Sequence, residues 1–450
     1  MTNPSATSRL PTFFIIVAGS LLLVLLLAFG AHWRLKQRAR AAADVVVAET
    51  RERTAAAERV VRPSHLDSPV PGTLAEALGP LMPELIALRD SEPTLSEEVD
   101  AACVDVRNGV RPVSELPREC REALDRGRPL MQRALRASRA EVGGLPEGLR
   151  IFDDPRHPSQ RTLLLPFLHI LKLAALETRS QTARGEADAA LETCLDGLAL
   201  ARDLSYGNAL IGAMVSATGH KTLFFPCAEA LDQASPSRRQ QACLALRRIR
   251  SGVAPLSTAL RDERAYMPLY LAGATFEQDQ FDALPTGAKA LALYSSSQDL
   301  VSTGMPALLA RKLMLQAWPV VHEYIGQALP LMDLPWDQRA PQLAALASTF
   351  TSSWNPFLNE YDEGYERFAT RVDTQRAQLD LLVALALVKQ QRLESGTWPS
   401  EPPTLYPEQE VLLPTALKLQ PGEGDKLLLY PEDMKPEELS VTATPGAAEG

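Results

Sequence analysis

The side chains best suited to chemistry lie in two short stretches. Asp153-Asp154-Pro155-Arg156-His157 places two carboxylates beside an imidazole. Such a set can bind a metal ion or work as an acid–base pair. The same residues also suit a solvated, proline-containing turn in which aspartate caps the backbone. His169 lies inside an apolar segment, which favours a core histidine held by hydrogen bonds.

Other catalytic patterns are missing from the sequence. Thr218-Gly219-His220-Lys221-Thr222 is faintly similar to a phosphate loop, but His220 separates the glycine from the lysine and no strand precedes the segment. There is no GxSxG elbow for a nucleophilic serine and no HExxH zinc motif. The six histidines are scattered singly. The sequence therefore predicts no catalytic, cofactor-binding or metal-ligating residue.

The strongest single feature is an uncharged apolar run from Phe13 to Ala31. About 20 such residues in a helix cross a hydrocarbon core of about 30 Å. We therefore predict a transmembrane anchor over residues 12–33, in contact with the bilayer, after a tail of residues 1–11. A cleaved secretory signal is the alternative, because Ala28 and Gly30 are small enough for a signal peptidase. The run is longer than the 7–15 residues usual for a signal.

The orientation of the anchor is left open by the charges. Four basic residues come after the run: Arg34, Lys36, Arg38 and Arg40. The positive-inside rule then places the large C-terminal part in the cytoplasm. A short tail before one apolar run is also typical of a signal anchor, which exports the rest of the chain. Cys103 and Cys120 can be bridged in an oxidising compartment or be buried as small apolar residues.

Composition limits the class of partner. The 450 residues are 46% hydrophobic and 22% charged, a balance typical of a globular protein. The net charge of −9 argues against a nucleic-acid partner, because phosphate binding needs a basic surface. Aromatic residues make up only 6% of the chain, so surfaces for base stacking are scarce.

Helix-forming segments dominate the rest of the chain. Residues 34–64, rich in Ala, Arg and Glu, predict a juxtamembrane helical stalk, which the prolines and glycine of residues 65–72 end. We expect an all-helical globular region over residues 73–430, with a possible sub-boundary near 285–305. Residues 431–450 form an acidic tail that we expect to be disordered.

Local signals refine this mainly α prediction. Helix starts are indicated at Thr73 and Thr94, each with a glutamate three residues later, and at Ser235. A long helix is expected over residues 359–394. The β signal is limited to residues 411–413 and 427–430, at most a small ribbon near the C-terminus.

The middle of the chain predicts a helical hairpin. Leu163 to Arg179 is apolar on most sides and indicates a buried helix. Apolar residues recur at three-to-four spacing from Ala187 to Ala199, and a second helix is expected from Ala209 to Leu231. The first helix of this pair resembles the opening helix of a tetratricopeptide-type repeat. No second copy occurs at a 34-residue period, so we expect a helical bundle or an irregular helical-hairpin array.

A segment near the C-terminus has a recognisable shape. Over residues 379–405, an apolar helix ends in a basic and polar turn and is followed by Gly396-Thr397-Trp398-Pro399 and then a leucine. This resembles a segment of type II secretion pseudopilins and of uncharacterised bacterial membrane-anchored proteins. An ordinary helix end with a hydrophobic contact explains it equally well. The chain lacks a prepilin cleavage site, so the resemblance implies an exported domain at the bacterial inner membrane and no pilin assembly.

Two functions remain as hypotheses. The first is a membrane-tethered protein-interaction or scaffolding role in the bacterial cell envelope, with an unknown protein partner. The alternative is a membrane-anchored hydrolase whose site is assembled from residues distant in sequence. A deep polar pocket containing His157 or His169 with carboxylates favours the enzyme. A shallow apolar groove along residues 187–231 favours the binding protein.

Overall fold

The computed structural model describes residues 9–92, 94–146, 164–272, 276–285, 288–289, 291–292, 307–348, 364–407 and 411–445. This part of the chain is mainly helical, as predicted. Its α-helices are α1 (Arg9–Glu58), α2 (Leu74–Leu78), α3 (Met82–Asp90), α4 (Glu97–Arg107), α5 (Arg118–Ala137), α6 (Leu165–Ala183), α7 (Ala187–Asp203), α8 (Ala209–Gln233), α9 (Pro236–Ser251), α10 (Leu256–Ala272), α11 (Gln278–Asp282), α12 (Ala307–Ala328), α13 (Trp336–Ser348) and α14 (Gly364–Ser395).

Helix α1 carries the predicted anchor. It is one unbroken helix of 50 residues, about 75 Å long. Its side chains from Leu21 to Leu27 are exposed. Within the described ranges, α1 alone is long and apolar enough to span a membrane.

The second half of α1 does not stand free as a stalk. Small side chains on one face of the helix are buried against α10 and α12: Ala39, Ala43, Val46, Val47 and Thr50. Their spacing of three and four residues forms a single stripe along α1. An ion pair from Arg53 to Asp262 at 2.6 Å strengthens this contact, and so does a hydrogen bond of 2.9 Å between His322 Nε2 and the Glu49 carboxylate. The stalk region is therefore part of the body.

The chain after α1 is fixed to the body rather than acting as a linker. The Arg62 guanidinium donates to both carboxylate oxygens of Asp203, at 3.0 and 2.9 Å. Arg202 donates to the carbonyl of Pro63 at 2.8 Å. The Arg62 and Asp203 side chains are almost completely buried. The chain therefore changes direction at the boundary predicted after residue 64, and the buried Arg62–Asp203 ion pair fixes this segment to the body.

The main core is built around the predicted hairpin of α7 and α8, with α6, α9 and α14 packed on it. Two glycines allow these helices to approach closely. A Cβ on Gly219 would lie 2.6 Å from the Leu171 side chain, and one on Gly197 would lie 2.9 Å from Leu223. A side chain at Gly219 would also lie 2.9 Å from Ala201 Cβ and would force the helices apart, whereas one at Gly197 would displace the Leu223 side chain.

Most predicted helix ends are confirmed. Thr73 and Glu76 form the capping box before α2, and Ser235 caps α9. The start predicted at Thr94 is wrong, because the side chain of Ser96 accepts from Val99 N and caps α4 instead. At the other end of the chain, α14 stops at Ser395, and Gly396 has a φ of +77°.

A three-stranded antiparallel sheet lies near the C-terminus: β3 (Leu417–Pro421), β4 (Leu427–Pro431) and β5 (Val441–Ala443), in the order β3-β4-β5. Residues 427–430 are a strand as predicted, whereas residues 411–413 are not. Residues 441–443 lie in the tail that we expected to be disordered. They form a strand because Val441 and Ala443 alternate with polar residues, and both are buried against the core. The first two strands, β1 (Val70–Thr73) and β2 (Ala140–Val142), form a separate parallel pair.

Candidate functional site

The candidate site that contains a histidine beside carboxylates is a cleft between α4, α5 and α6, with a cavity volume of about 420 Å³. We call it the α4–α6 cleft. Its apolar wall includes Leu95, Leu173 and Leu176. Its charged lining consists of the carboxylates Glu92, Glu97, Asp100 and Glu119, the cations Arg107 and Lys172, and the imidazole of His169.

His169 is placed in the cleft by α6 and is only 7% exposed. Its Nδ1 lies 3.0 Å from Oε1 of Glu92, which follows α3. Its Nε2 is buried and has no hydrogen-bond partner among the described residues. A carboxylate on one ring nitrogen orients an imidazole and leaves the other nitrogen to meet a ligand. The expectation of a core histidine held by hydrogen bonds is met on one ring nitrogen only.

The wall opposite α6 is braced by a disulfide. Cys103 of α4 is bonded to Cys120 of α5, with 6.5 Å between their Cα atoms. Arg107 lies one turn further along α4, and its Nε is buried without a partner in the described structure. Burial lowers the pKa of Arg107, and the nearby Asp100 carboxylate opposes that change. The charged groups that α4 and α5 contribute to the cleft are therefore carried by two helices that a disulfide joins.

The charge balance indicates what the α4–α6 cleft attracts. Four carboxylates face two permanent cations, so the lining is negative overall. The described lining holds no serine or threonine, and both cysteines are in the disulfide. The cleft can therefore bind a cationic group by charge and its carbon stem by the leucines, whereas the described lining offers no hydroxyl or thiol nucleophile for covalent catalysis.

Two other histidine–carboxylate pairs lie outside this cleft. His65 Nε2 lies 2.9 Å from the Asp196 carboxylate. The Arg139 guanidinium donates to the same carboxylate from Nε and Nη2. His322 pairs with Glu49 between α12 and α1. Both pairs join segments far apart in the sequence, and no local motif could have indicated either one.

His220 confirms that residues 218–222 are no phosphate loop, because they lie inside α8. Its Nδ1 lies 2.9 Å from the carbonyl of Ser216 and 3.0 Å from Nε2 of Gln375. Burial lowers the pKa of His220 to about 4, so it is a neutral core residue.

The apolar groove considered along residues 187–231 is not present in the described structure. Ala190, Leu191, Leu198 and Leu223 are buried in the main core. A disulfide between Cys194 and Cys227 closes the hairpin from inside, with 5.5 Å between the Cα atoms. The apolar side chains of this hairpin are therefore buried in the core and do not line a groove on the surface.

The candidate cluster at Asp153, Asp154 and His157 lies outside the described residues. Within them, no group of three or more histidine, cysteine, aspartate or glutamate side chains is arranged to hold a metal ion. The described structure therefore adds no metal site to the α4–α6 cleft.

Comparisons with known proteins give no information about the cleft. No protein-family model, curated protein or solved structure matches this chain. A function can therefore be inferred only from the geometry of the site.

Proposed function

We propose that this protein is a membrane-tethered binding protein of the bacterial cell envelope. Its α4–α6 cleft takes a lysine or arginine of a partner protein. The observation that carries the proposal is the negative lining of the cleft, in which four carboxylates outnumber two cations. A cavity of about 420 Å³ lies in the range of ligand sites and has room for one or two side chains.

The anchor gives this binding site a fixed position. In this proposal, residues 12–33 cross the inner membrane once. The stripe on α1 and the pairs Arg53–Asp262 and His322–Glu49 hold the body directly against the helix that leaves the bilayer. A partner bound in the cleft is then kept at a set distance from the membrane, as a scaffolding role requires.

We place the body outside the cytoplasm. The two cysteine pairs have Cα separations of 6.5 and 5.5 Å, which suit disulfides, and disulfides persist in oxidising compartments. The basic residues after the span favour the opposite orientation. Part of that charge is neutralised within the fold, because Arg40 pairs with Glu277 and Asp279.

The orientation is tested by labelling intact cells with a membrane-impermeant thiol reagent, after the outer barrier has been opened. Ser400 is exposed and offers a position for a Ser400→Cys variant. The parent chain is the matched control, because all five of its cysteines are buried. Labelling before lysis supports an exported body, and labelling only after lysis contradicts it.

The binding proposal is tested with a fluorescent tetralysine peptide and the full chain in detergent. Asp100→Asn with Glu119→Gln removes two charges from the cleft. Asp433→Asn with Glu437→Gln removes two exposed charges elsewhere and is the control. We expect the cleft variant to bind about tenfold more weakly and the control to bind as the parent does. Equal binding by the two variants contradicts the proposal.

The hydrolase alternative is favoured by one specific observation. The polar cleft contains His169 with carboxylates, and the Glu92 carboxylate holds the His169 imidazole as the partner of a general base does. Its test is turnover of chromogenic ester, amide and glycoside substrates by the parent chain and by His169→Ala. Turnover that is lost in the variant identifies an enzyme.

A further inference from the structure

A second cavity lies where α1 leaves the body, between α1, α11 and α12. Its volume is about 580 Å³, and we call it the membrane-proximal cavity. His32, Lys36 and Arg40 line it from α1, and Lys312 lines it from α12. The cavity is separate from the α4–α6 cleft and shares no lining residue with it.

The position of this cavity along α1 sets its depth. His32 lies within the span proposed for residues 12–33. At 1.5 Å per residue, Lys36 and Arg40 lie about 5 and 11 Å beyond the end of that span. The polar layer of a bilayer extends about 5–8 Å beyond the hydrocarbon on each side. The cavity therefore reaches the level of the lipid headgroups at Lys36 and extends beyond it at Arg40.

The charges of the cavity favour an anion. Arg40 is neutralised by Glu277 and Asp279. Lys36 and Lys312 are exposed, and neither has an ion-pair partner among the residues that the structure describes. These two ammonium groups come from different helices and border one cavity.

The floor of the cavity is apolar and carries one unsatisfied donor. Leu315 is buried, and the rings of Phe276 and Trp318 lie 5.8 Å apart. Trp318 is 1% exposed, yet its indole Nε1 has no hydrogen-bond partner in the described structure. A buried indole N–H normally donates to an acceptor, so Trp318 is a residue of the cavity lining whose donor is unsatisfied.

We propose that the membrane-proximal cavity binds an anionic phospholipid from the bilayer that α1 crosses. Lys36 and Lys312 pair with the phosphate, the Trp318 indole donates to a lipid oxygen, and Phe276 and Leu315 contact the first carbons of the chains. This inference rests on the anchoring part of the proposed function. Bound lipid would fix the depth of the body relative to the bilayer surface.

The test measures lipid bound to the full chain in detergent by native mass spectrometry. Phosphatidylglycerol, phosphatidylcholine and inorganic phosphate are added separately. Lys36→Gln with Lys312→Gln is the test variant. Arg34→Gln with Arg38→Gln is the matched control, because these exposed cations lie at the same depth of α1 but do not line the cavity. Trp318→Phe keeps an aromatic ring and removes only the N–H donor.

We expect the parent to prefer phosphatidylglycerol, and the test variant to lose about fivefold in affinity for each lysine. The control should bind as the parent does, and Trp318→Phe should bind more weakly than the parent. Equal loss in the test and control variants indicates diffuse surface charge and overturns the proposal. Binding of inorganic phosphate alone also overturns it. Carbonate extraction of native membranes tests anchoring independently, so failure of the anchor is distinguishable from failure of the lipid site.

Discussion

The two histidine–carboxylate pairs at His65 and His169 use the same chemistry in opposite surroundings. Each imidazole lies 2.9–3.0 Å from one carboxylate, and each has a second nitrogen without a partner in the described structure. The Asp196 carboxylate beside His65 is buried and also accepts hydrogen bonds from Arg139. The Glu92 carboxylate beside His169 is 37% exposed and borders a cavity. The pair itself is therefore no sign of function, and its surroundings decide its role.

The largest expected difference between the two regions is in stability. Asp196→Ala leaves His65 and Arg139 without their shared carboxylate, and we expect it to lower the free energy of unfolding by about 3–5 kcal/mol. Glu92→Ala removes an exposed partner and should cost less than about 1 kcal/mol. Thermal unfolding of both variants in detergent measures this. Similar losses of stability would show that the cleft is as structural as the core.

The disulfide of the cleft wall offers the next largest effect. Replacing Cys103 and Cys120 by alanine frees a loop closed over 17 residues, and we expect a loss of about 3 kcal/mol. The expected loss comes from the greater conformational entropy of the unfolded chain without the disulfide. The contact between His65 and Asp196 in the folded state should therefore be unchanged. Unfolding midpoints with and without reductant check this. A parent chain that is insensitive to reductant would contradict it.

A buried acid makes the stability of the core depend on pH. Burial raises the pKa of Glu263 from 4.5 to about 7. The folded state therefore keeps a proton that the unfolded state releases above pH 4.5. This group contributes fully to stability below pH 4.5, and the contribution is lost as the pH rises to about 7.

Comparison with Glu263→Gln isolates this contribution, because the amide keeps the neutral shape of the protonated acid. We expect the parent to lose on the order of 2 kcal/mol relative to this variant between pH 4.5 and 7.5. Unfolding midpoints measured across that range check the sign. A relative loss on acidification instead would contradict the assignment of a neutral Glu263 in the fold.

The sequence predicted features that depend on neighbours along the chain. The hairpin of α7 and α8 follows from three-to-four spacing, and the end of α14 follows from Gly396. Trp398 then donates from Nε1 to the carbonyl of Asp425 at 2.9 Å. The resemblance to pseudopilin segments stays a prediction, because a helix end of this kind needs only local interactions.

Features made by distant residues could not be predicted in this way. The composition of residues 34–64 predicted a helix there. It did not predict that one face of this helix packs on α10 and α12, because those helices lie more than 200 residues away along the chain. His169 was recognised as buried, while Glu92 carried no signal that joined it to α6. The cleft exists only because α4, α5 and α6 meet in space, so its carboxylates looked like ordinary surface residues in the sequence.

The smallest expected effect separates the two candidate functions of the α4–α6 cleft. His169→Ala removes one hydrogen-bonding nitrogen from the lining, so a binding site should lose about threefold in affinity for the tetralysine peptide. His65→Ala is the matched control, since His65 does not line the α4–α6 cleft, and it should leave peptide affinity unchanged while lowering stability. A general base behaves differently, because its removal lowers turnover by about a hundredfold or more. A modest change in affinity without measurable turnover in the parent supports the binding protein, whereas loss of a measurable parental turnover supports the hydrolase.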